Sequence, residues 1–289
     1  MKYGIIDIGS NSVRLMISKN GKTLYKIVEI VKLAEGMTER NGLTTQASER
    51  TVRTVVSFYD KAKAENVDEV YAFATAAVRN AANGAEFVDK VKAACGLEIE
   101  VVSGETEAML GRLGALGNAD GGVIDSGGAS TEVVVVNGGN VVYSKSVNVG
   151  AVSVKDACGQ DRSLSFEYIA QKLEEYGDIP KTEFYCIGGT ATSIAAIIQE
   201  LDPYDPKKTD GFKIEKTVLG KIVDKLYSLS VEERKKLKGL QSARAEVIAG
   251  GATILLSLME KYSLNTITVS EKDNLEGYLA YRSNYERKN

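Results

Sequence analysis

Gly121–Val136 reads GGVIDSGGASTEVVVV, and the folding of this stretch decides how the rest of the chain is read. Val123 and Ile124 belong to an apolar strand that ends in an acid, Asp125. Ser126 to Ser130 form a turn of small residues, and Thr131 to Val136 a second, β-branched strand. Such a turn can bring several backbone N–H groups to one anion, because glycine permits φ > 0 and leaves no Cβ in the way. The pattern occurs once before, as IIDIGSNSVRLMI at Ile5–Ile17. The offset between the two acids (125 − 7 = 118) also aligns Gly9 with Gly127, Ser12 with Ser130 and Tyr25 with Tyr143. One Gly-containing hairpin would be unremarkable. Two with the acid in place each time predict two similar α/β domains, with phosphate-sized turns facing each other across one cleft.

At 289 residues the chain has room for two domains of ordinary size. A net charge of −3 supplies no global basic field, so nucleic acid is not an expected partner and an anionic substrate must be held by local charge. Cys95, Cys158 and Cys186 are far apart and odd in number, which argues against a disulfide framework or a zinc site and for a reduced, cytoplasmic setting. Strand pattern begins at the N-terminus, so no signal peptide is expected. Uncharged runs such as Phe184–Gln199 stop short of the roughly 20 residues of a bilayer span, so no membrane partner is expected either. The chain has no histidine, which removes Ser-His-Asp triads and imidazole bases and leaves carboxylates as the bases.

In chain order, a strand at Thr23–Leu33 follows the first hairpin. Thr45–Asn66 then has helical periodicity, with Val52, Val55, Val56 and Tyr59 as its apolar stripe. A strand ending at Thr75 delivers Arg79 to the carboxyl end of the sheet, where open α/β sheets collect ligands. A phosphate clamp is weighed there against an ordinary surface arginine. After the strand Leu97–Val102 comes SGETEAMLGRLGALG, in which Ser103 can cap a helix. Glu105 and Glu107 suit its first turns, where the helix dipole favours acids. Met109, Leu110, Leu113 and Leu116 make the greasy stripe, whereas Glu107 shares its face with Gly111 and Gly114, a face open to close approach. Asn118–Gly122 is the expected hinge, giving domains 1–119 and 120–289, the terminal helix free to pack back on the first. Later, the strand Phe184–Ile187 runs into Gly188-Gly189-Thr190 and an apolar helix, an anion seat at a helix N-terminus. Val247–Met259 is apolar nearly all round and should be a buried helix, with Gly250 and Gly251 allowing close packing.

Together, DIGSNSVRLMI at Asp7, LAEGM at Leu33, TAAVRN at Thr75, SGETEA at Ser103, VIDSGGASTE at Val123, NVGAVS at Asn148, CIGGTATS at Cys186 and RAEVIAGGA at Arg244 resemble the exopolyphosphatase and guanosine pentaphosphate phosphohydrolase (Ppx/GppA) family. That resemblance implies two RNase H-like domains with an interdomain cleft, in the fold class of actin, sugar kinases and heat-shock chaperone ATPases. It also implies Mg²⁺-dependent hydrolysis of a terminal phosphoryl group. By the family pattern Glu107 is the catalytic carboxylate that deprotonates water, while Asp125 with Glu132 holds the magnesium and Asp7 is metal-facing or structural. The turns Gly9-Ser10-Asn11-Ser12 and Gly127-Gly128-Ala129-Ser130, with the seat at Gly188-Gly189-Thr190, would cradle phosphate oxygens, and Arg79 would neutralise developing charge.

The chain departs from the family pattern at Thr106, where Glu is usual, at Ala129, in place of the third turn glycine, at Ser126, Lys32 and Glu246, and in the loosely matching SEKDNLEGYL. If Ala129 had φ > 0, its cradle would be strained. Inorganic polyphosphate is the expected substrate and guanosine pentaphosphate the near alternative. Lys207, Lys208, Lys213 and Lys216 are weighed as a polyphosphate track or plain surface charge. A kinase of the same fold and a non-catalytic sensor are the more distant readings. A homodimer stays open.

Overall fold

The computed structural model describes residues 1–37 and 42–286. The chain divides into two compact units, Met1–Gly114 with the segment from Asn274 onward, and Ala115–Asp273. The boundary therefore falls about one helical turn before the expected hinge. The hinge residues belong to the second unit, where Ala119 N–H donates back to Leu116 O over 3.0 Å.

The first unit starts with β1 (Lys2–Ile8), β2 (Ser12–Lys19) and β3 (Lys22–Ile30), and continues through α1 (Thr45–Ala64), β4 (Glu69–Ala74), α2 (Ala76–Asn80), α3 (Gly84–Cys95), β5 (Ile99–Val101) and α4 (Gly104–Ala115). Among the described residues its sheet has the order β3-β2-β1-β4-β5. β1, β2 and β3 run antiparallel, while β4 and β5 run parallel to β1. α1 turns a different face inward from the expected one. Ala47, Thr51, Val55, Phe58 and Ala62 are buried, while Val52, Val56 and Tyr59 are only half-buried. Thr51 can be buried because its hydroxyl returns to Ala47 O at 2.8 Å, which leaves no unmet polar group.

The second unit comprises β6 (Gly121–Ser126), β7 (Thr131–Asn137), β8 (Asn140–Val147), α5 (Ala151–Cys158), α6 (Arg162–Leu173), β9 (Phe184–Ile187), α7 (Gly189–Ile198), α8 (Pro206–Thr209), β10 (Lys213–Glu215), α9 (Lys216–Ser228), α10 (Val231–Arg234), α11 (Ile248–Lys261) and β11 (Thr266–Val269). Its sheet reads β10-β11-β9-β6-β7-β8 among the described residues. Read from β8 to β11, this repeats the connectivity of the first sheet, with β10 added at the edge. The two units are thus similar α/β domains of RNase H-like topology. β6 and all of β7 but Asn137 are buried, and strands covered on both faces read as continuous apolar runs rather than alternating ones. α11 is buried from Ile248 to Leu256, as its all-round apolarity predicts.

The last helix, α12 (Asn274–Glu286), returns to the first unit. Leu275, Tyr278 and Leu279 join Ile5, Met16, Phe73 and Leu110 in one core, and the Tyr278 ring stacks on Phe73 with centroids 4.7 Å apart. No described helix is long and apolar enough to cross a membrane, and Cys95, Cys158 and Cys186 are free thiols.

Candidate functional site

In both hairpins the acid is the penultimate residue of the first strand, and the turn closes in the same way. Gly9 N–H donates to Ser12 O, and Gly127 N–H to Ser130 O, each at 3.0 Å. Neither turn uses the left-handed backbone expected of its glycines, because Gly9, Gly127, Gly128 and Ala129 all lie outside the positive-φ set. Ala129 therefore fits without the strain its replacement of glycine raised.

The carbonyl groups of the turns are tied down. In the second unit the N-terminus of α5 donates to the turn, Ala151 N–H to Gly127 O at 3.0 Å and Val152 N–H to Gly128 O at 2.7 Å. In the first, Ala34 N–H donates to Ser10 O at 2.9 Å and Val31 N–H to Asn11 O at 3.0 Å. The bonds from Ala34 and Val152 are themselves 118 residues apart (152 − 34 = 118), so the repeat extends to the anchoring. A trans peptide holds its C=O and the next N–H antiparallel. With the carbonyls of Gly127 and Gly128 committed to α5, the N–H groups of Gly128 and Ala129 face the opposite way, as an anion cradle requires. The α5 N-terminus can come this near only because Gly150 lacks a side chain. A Cβ there would lie 2.4 Å from the carbonyl carbon and oxygen of Gly128.

The residue opposite the acid distinguishes the two copies. β2 sets Arg14 across from Asp7, and the pair is ion-bonded, with Arg14 Nε 3.0 Å from Asp7 Oδ2. β7 sets Glu132 across from Asp125. Both are buried, at 2% and 7% exposure. Ser146 Oγ donates to Glu132 Oε1 at 2.6 Å, and Tyr176 Oη donates to Thr131 O at 2.6 Å beside it. Burial, and then the Glu132 charge, push the Tyr176 phenol well above the ordinary tyrosine range.

Like charges placed directly across a ladder repel, and a divalent cation is the chemistry that suits such a pair. Mg²⁺ is commonly held by one or two carboxylates plus water and substrate phosphate. The donor set fits that mode. It does not form an all-protein cage, since no cluster of three or more His, Cys, Asp or Glu exists among the described residues.

β9 lies parallel to β6 with Ile187 level with Asp125, so the next residue, Gly188, meets the acid. Its φ of +91° is one that side chains avoid, and a Cβ there would be 2.9 Å from Asp125 Oδ1. Gly189 opens α7, and the Arg244 guanidinium lies against it; a Cβ on Gly189 would fall 2.0 Å from Nη1. Sequence reading missed Arg244. Its motif was visible, but nothing in the spacing ties an arginine in one loop to a glycine 55 residues earlier (244 − 189 = 55). Thr190, expected in the same seat, is buried, with its side chain where a Cβ on Gly251 would go.

In the first unit, Ser103 caps α4 by accepting from Thr106 N–H at 3.1 Å. The Ser103 hydroxyl, and then its own backbone N–H, hold the Glu105 carboxyl below the usual range at the surface. Glu107 is buried with Ala108, Leu110, Gly111 and Gly114, so the glycine face packs more closely than the greasy stripe, of which Met109, Leu113 and Leu116 are half-buried. Arg79, in the last turn of α2, donates through Nη1 to Glu107 Oε2 at 2.9 Å and to Val102 O at 3.0 Å. The two residues read separately as clamp and base are therefore one ion pair. Lys207, Lys208 and Lys213 are exposed and Lys216 half-buried.

A profile of the Ppx/GppA phosphatase family matches residues 15–285. Exopolyphosphatase 2 of Mycobacterium tuberculosis is 28% identical, over 96% of this chain and 97% of that protein. A bifunctional 3-dehydroquinate synthase/phosphatase of Fusobacterium nucleatum is 29% identical over 94% of this chain, which spans 45% of that longer relative. The crystal structure of the Aquifex aeolicus Ppx/GppA family member matches at 31% identity with a TM-score of 0.81, over 99% of this chain and 98% of that one. An exopolyphosphatase structure from Cytophaga hutchinsonii, at 23% identity and a TM-score of 0.87, shares the fold. With the profile spanning nearly the whole sequence, the chain belongs to the Ppx/GppA phosphatase family.

Proposed function

We propose that this phosphohydrolase removes terminal orthophosphate from inorganic polyphosphate, with hydrolysis of guanosine pentaphosphate to the tetraphosphate as the near alternative. The observation that carries the reading is the second-unit turn, its carbonyls tied to α5, its N–H groups facing the other way, and two buried carboxylates at its base. A phosphoryl group fits that combination of donors and acids better than a carboxylate or a sugar would. The names borne by the relatives, an exopolyphosphatase and a synthase/phosphatase, point the same way.

Each unit has its own part. In the second, Gly128 and Ala129 N–H donate to phosphoryl oxygens, and Arg244 with the α7 N-terminus at Gly189 binds further anionic oxygen. Asp125 and Glu132 would hold Mg²⁺, which when bound withdraws charge from the phosphoryl oxygens. In the first, the turn Gly9–Ser12 offers the same kind of donors, while Asp7, paired with Arg14, keeps the hairpin in shape. Glu107 takes the proton of the attacking water, the new bond forms to phosphorus and the anhydride bond breaks. Arg79 holds the Glu107 carboxylate and would neutralise negative charge as it builds on the transferred group.

The test is phosphate release with Mg²⁺ on long polyphosphate, tripolyphosphate, guanosine pentaphosphate and ATP. The native chain should act fastest on polyphosphate. Glu107→Gln should stay folded by circular dichroism and release phosphate roughly 10²- to 10⁴-fold more slowly. Near-native turnover by that variant overturns the assignment of the base. ATP consumed without free phosphate would make the chain a kinase instead.

A further inference from the structure

Arg234 ends α10 and is among the most buried side chains of the protein, at 1% exposure. No carboxylate lies within ion-pair distance of it among the described residues. It spends its donors on neutral groups. Nε bonds Leu226 O at 2.6 Å, Nη1 bonds the Gln160 side-chain oxygen and approaches Ala245 O at 3.4 Å, and the guanidinium sits 5.9 Å from the Tyr227 ring centre. A buried cation of this kind is costly, and an apolar side chain of similar volume often serves stability as well or better. Its hydrogen bonds tie α9, Gln160 and the loop at Ala245 to one point, which an apolar side chain would not do.

Gln160, oriented by Arg234, donates through Nε2 to Glu246 O at 2.9 Å. Two successive carbonyls, those of Ala245 and Glu246, are thereby held at the residues that directly follow Arg244. The same loop is fixed at its other end, where Gly239 packs on the backbone of α7 at Ala196. Within it, Arg244 N–H donates to Gln241 O at 2.8 Å and Arg244 Nε to the Gln241 side chain at 3.1 Å. A long arginine side chain reaches one point repeatedly only if its backbone is fixed.

We propose that Arg234 and Gln160 are positioning residues: together they lock the backbone after Arg244, so that its guanidinium is presented at the N-terminus of α7 to bind phosphate. The proposal rests on the phosphate-binding reading of that seat.

The test is a double-mutant cycle, which reports whether two residues act through one another. Gln160→Ala takes the acceptor from one buried Arg234 N–H, so it should stay folded by circular dichroism with a melting temperature several degrees lower, and binding and kinetics are read well below that transition. The readouts are the Kd for tripolyphosphate without Mg²⁺, by titration calorimetry, and KM and kcat for its hydrolysis with Mg²⁺. Gln160→Ala should raise Kd and KM about 3- to 10-fold and leave kcat within about twofold, as expected for one lost backbone hydrogen bond. Arg244→Ala should raise both roughly 10- to 100-fold. The double variant should be no worse than Arg244→Ala alone. Arg234→Lys, which keeps the charge and loses the fork, should reproduce the Gln160→Ala behaviour, including its absence from the Arg244→Ala background.

Effects of Gln160→Ala and Arg244→Ala that multiply, or a fall in kcat at unchanged KM, overturn the positioning role. Phosphate release by the native chain would then leave the functional reading intact. Native protein that neither binds tripolyphosphate nor releases phosphate overturns that reading, and the positioning role with it.

Discussion

Asp7 and Asp125 are the same residue with different cross-strand neighbours in two copies of a hairpin. The strand acid is the same and the turn hydrogen bond is the same, but β2 supplies Arg14 and β7 supplies Glu132. The first acid is balanced within its own hairpin, while the second joins another carboxylate. If the acid pair holds Mg²⁺, adding the ion should raise the melting temperature of the native protein, because a ligand bound only by the folded state stabilises it by about 2.7 kcal/mol at a hundredfold excess over Kd. Asp125→Asn and Glu132→Gln should each abolish that increment. Asp7→Asn should keep it while lowering overall stability by about 1–3 kcal/mol, since it weakens a charge-assisted bond to a part-buried guanidinium. Calorimetric scans with and without Mg²⁺ decide the matter, and an increment that survives Glu132→Gln removes that residue from the metal site. The acids were legible as residue types at a repeated spacing. The opposite neighbours were legible only once the strand register was known, and Arg244 was hidden because its contact with Gly189 is tertiary.

At the scale of elements, the hairpins, the strand at Phe184–Ile187 and the buried α11 follow from local pattern and were read as such. α5 was not. After the strand ending at Val147, the run NVGAVSVKDAC shows little helical period, and what fixes the helix there is donation of its first N–H groups to Gly127 and Gly128. The inward face of α1 was misjudged for a related reason. Valines mark apolarity, but the sheet selects the face that packs, and it took Thr51, Val55 and Phe58. The role of α5 predicts a specific failure. Gly150→Ala places a Cβ against the Gly128 carbonyl, and the turn must shift to admit it. Stability should fall by about 1–3 kcal/mol, the range for overpacking. Phosphate release should fall further than partial unfolding explains, since the N–H groups move with their carbonyls. Activity normalised to folded fraction, near native in the variant, would show that the turn tolerates displacement.

The whole molecule repeats one topology, and the second unit is inserted into the first, between α4 and α12. The doubling was legible from the offset of 118 residues (125 − 7 = 118). The return of α12 was an open possibility in the sequence and no more, since its apolar residues fit any sheet that exposes an apolar face. Ending the chain at Asp273 should uncover Tyr3, Phe73 and Leu110, against which Leu275, Tyr278 and Leu279 pack. The expected outcome is lost amide protection across β1, β2 and β4, with β6, β7 and α11 still protected in hydrogen exchange. Uniform protection in both units would show that α12 is dispensable to its sheet.

The insertion also orders events on the ribosome. Every strand of the inserted unit is translated before the helix that seals the earlier sheet. The earlier-born sheet has all its strands long before that helix exists, and it waits with a greasy face uncovered while the later-born half is made. During that interval nascent-chain chaperones have a defined surface to shield.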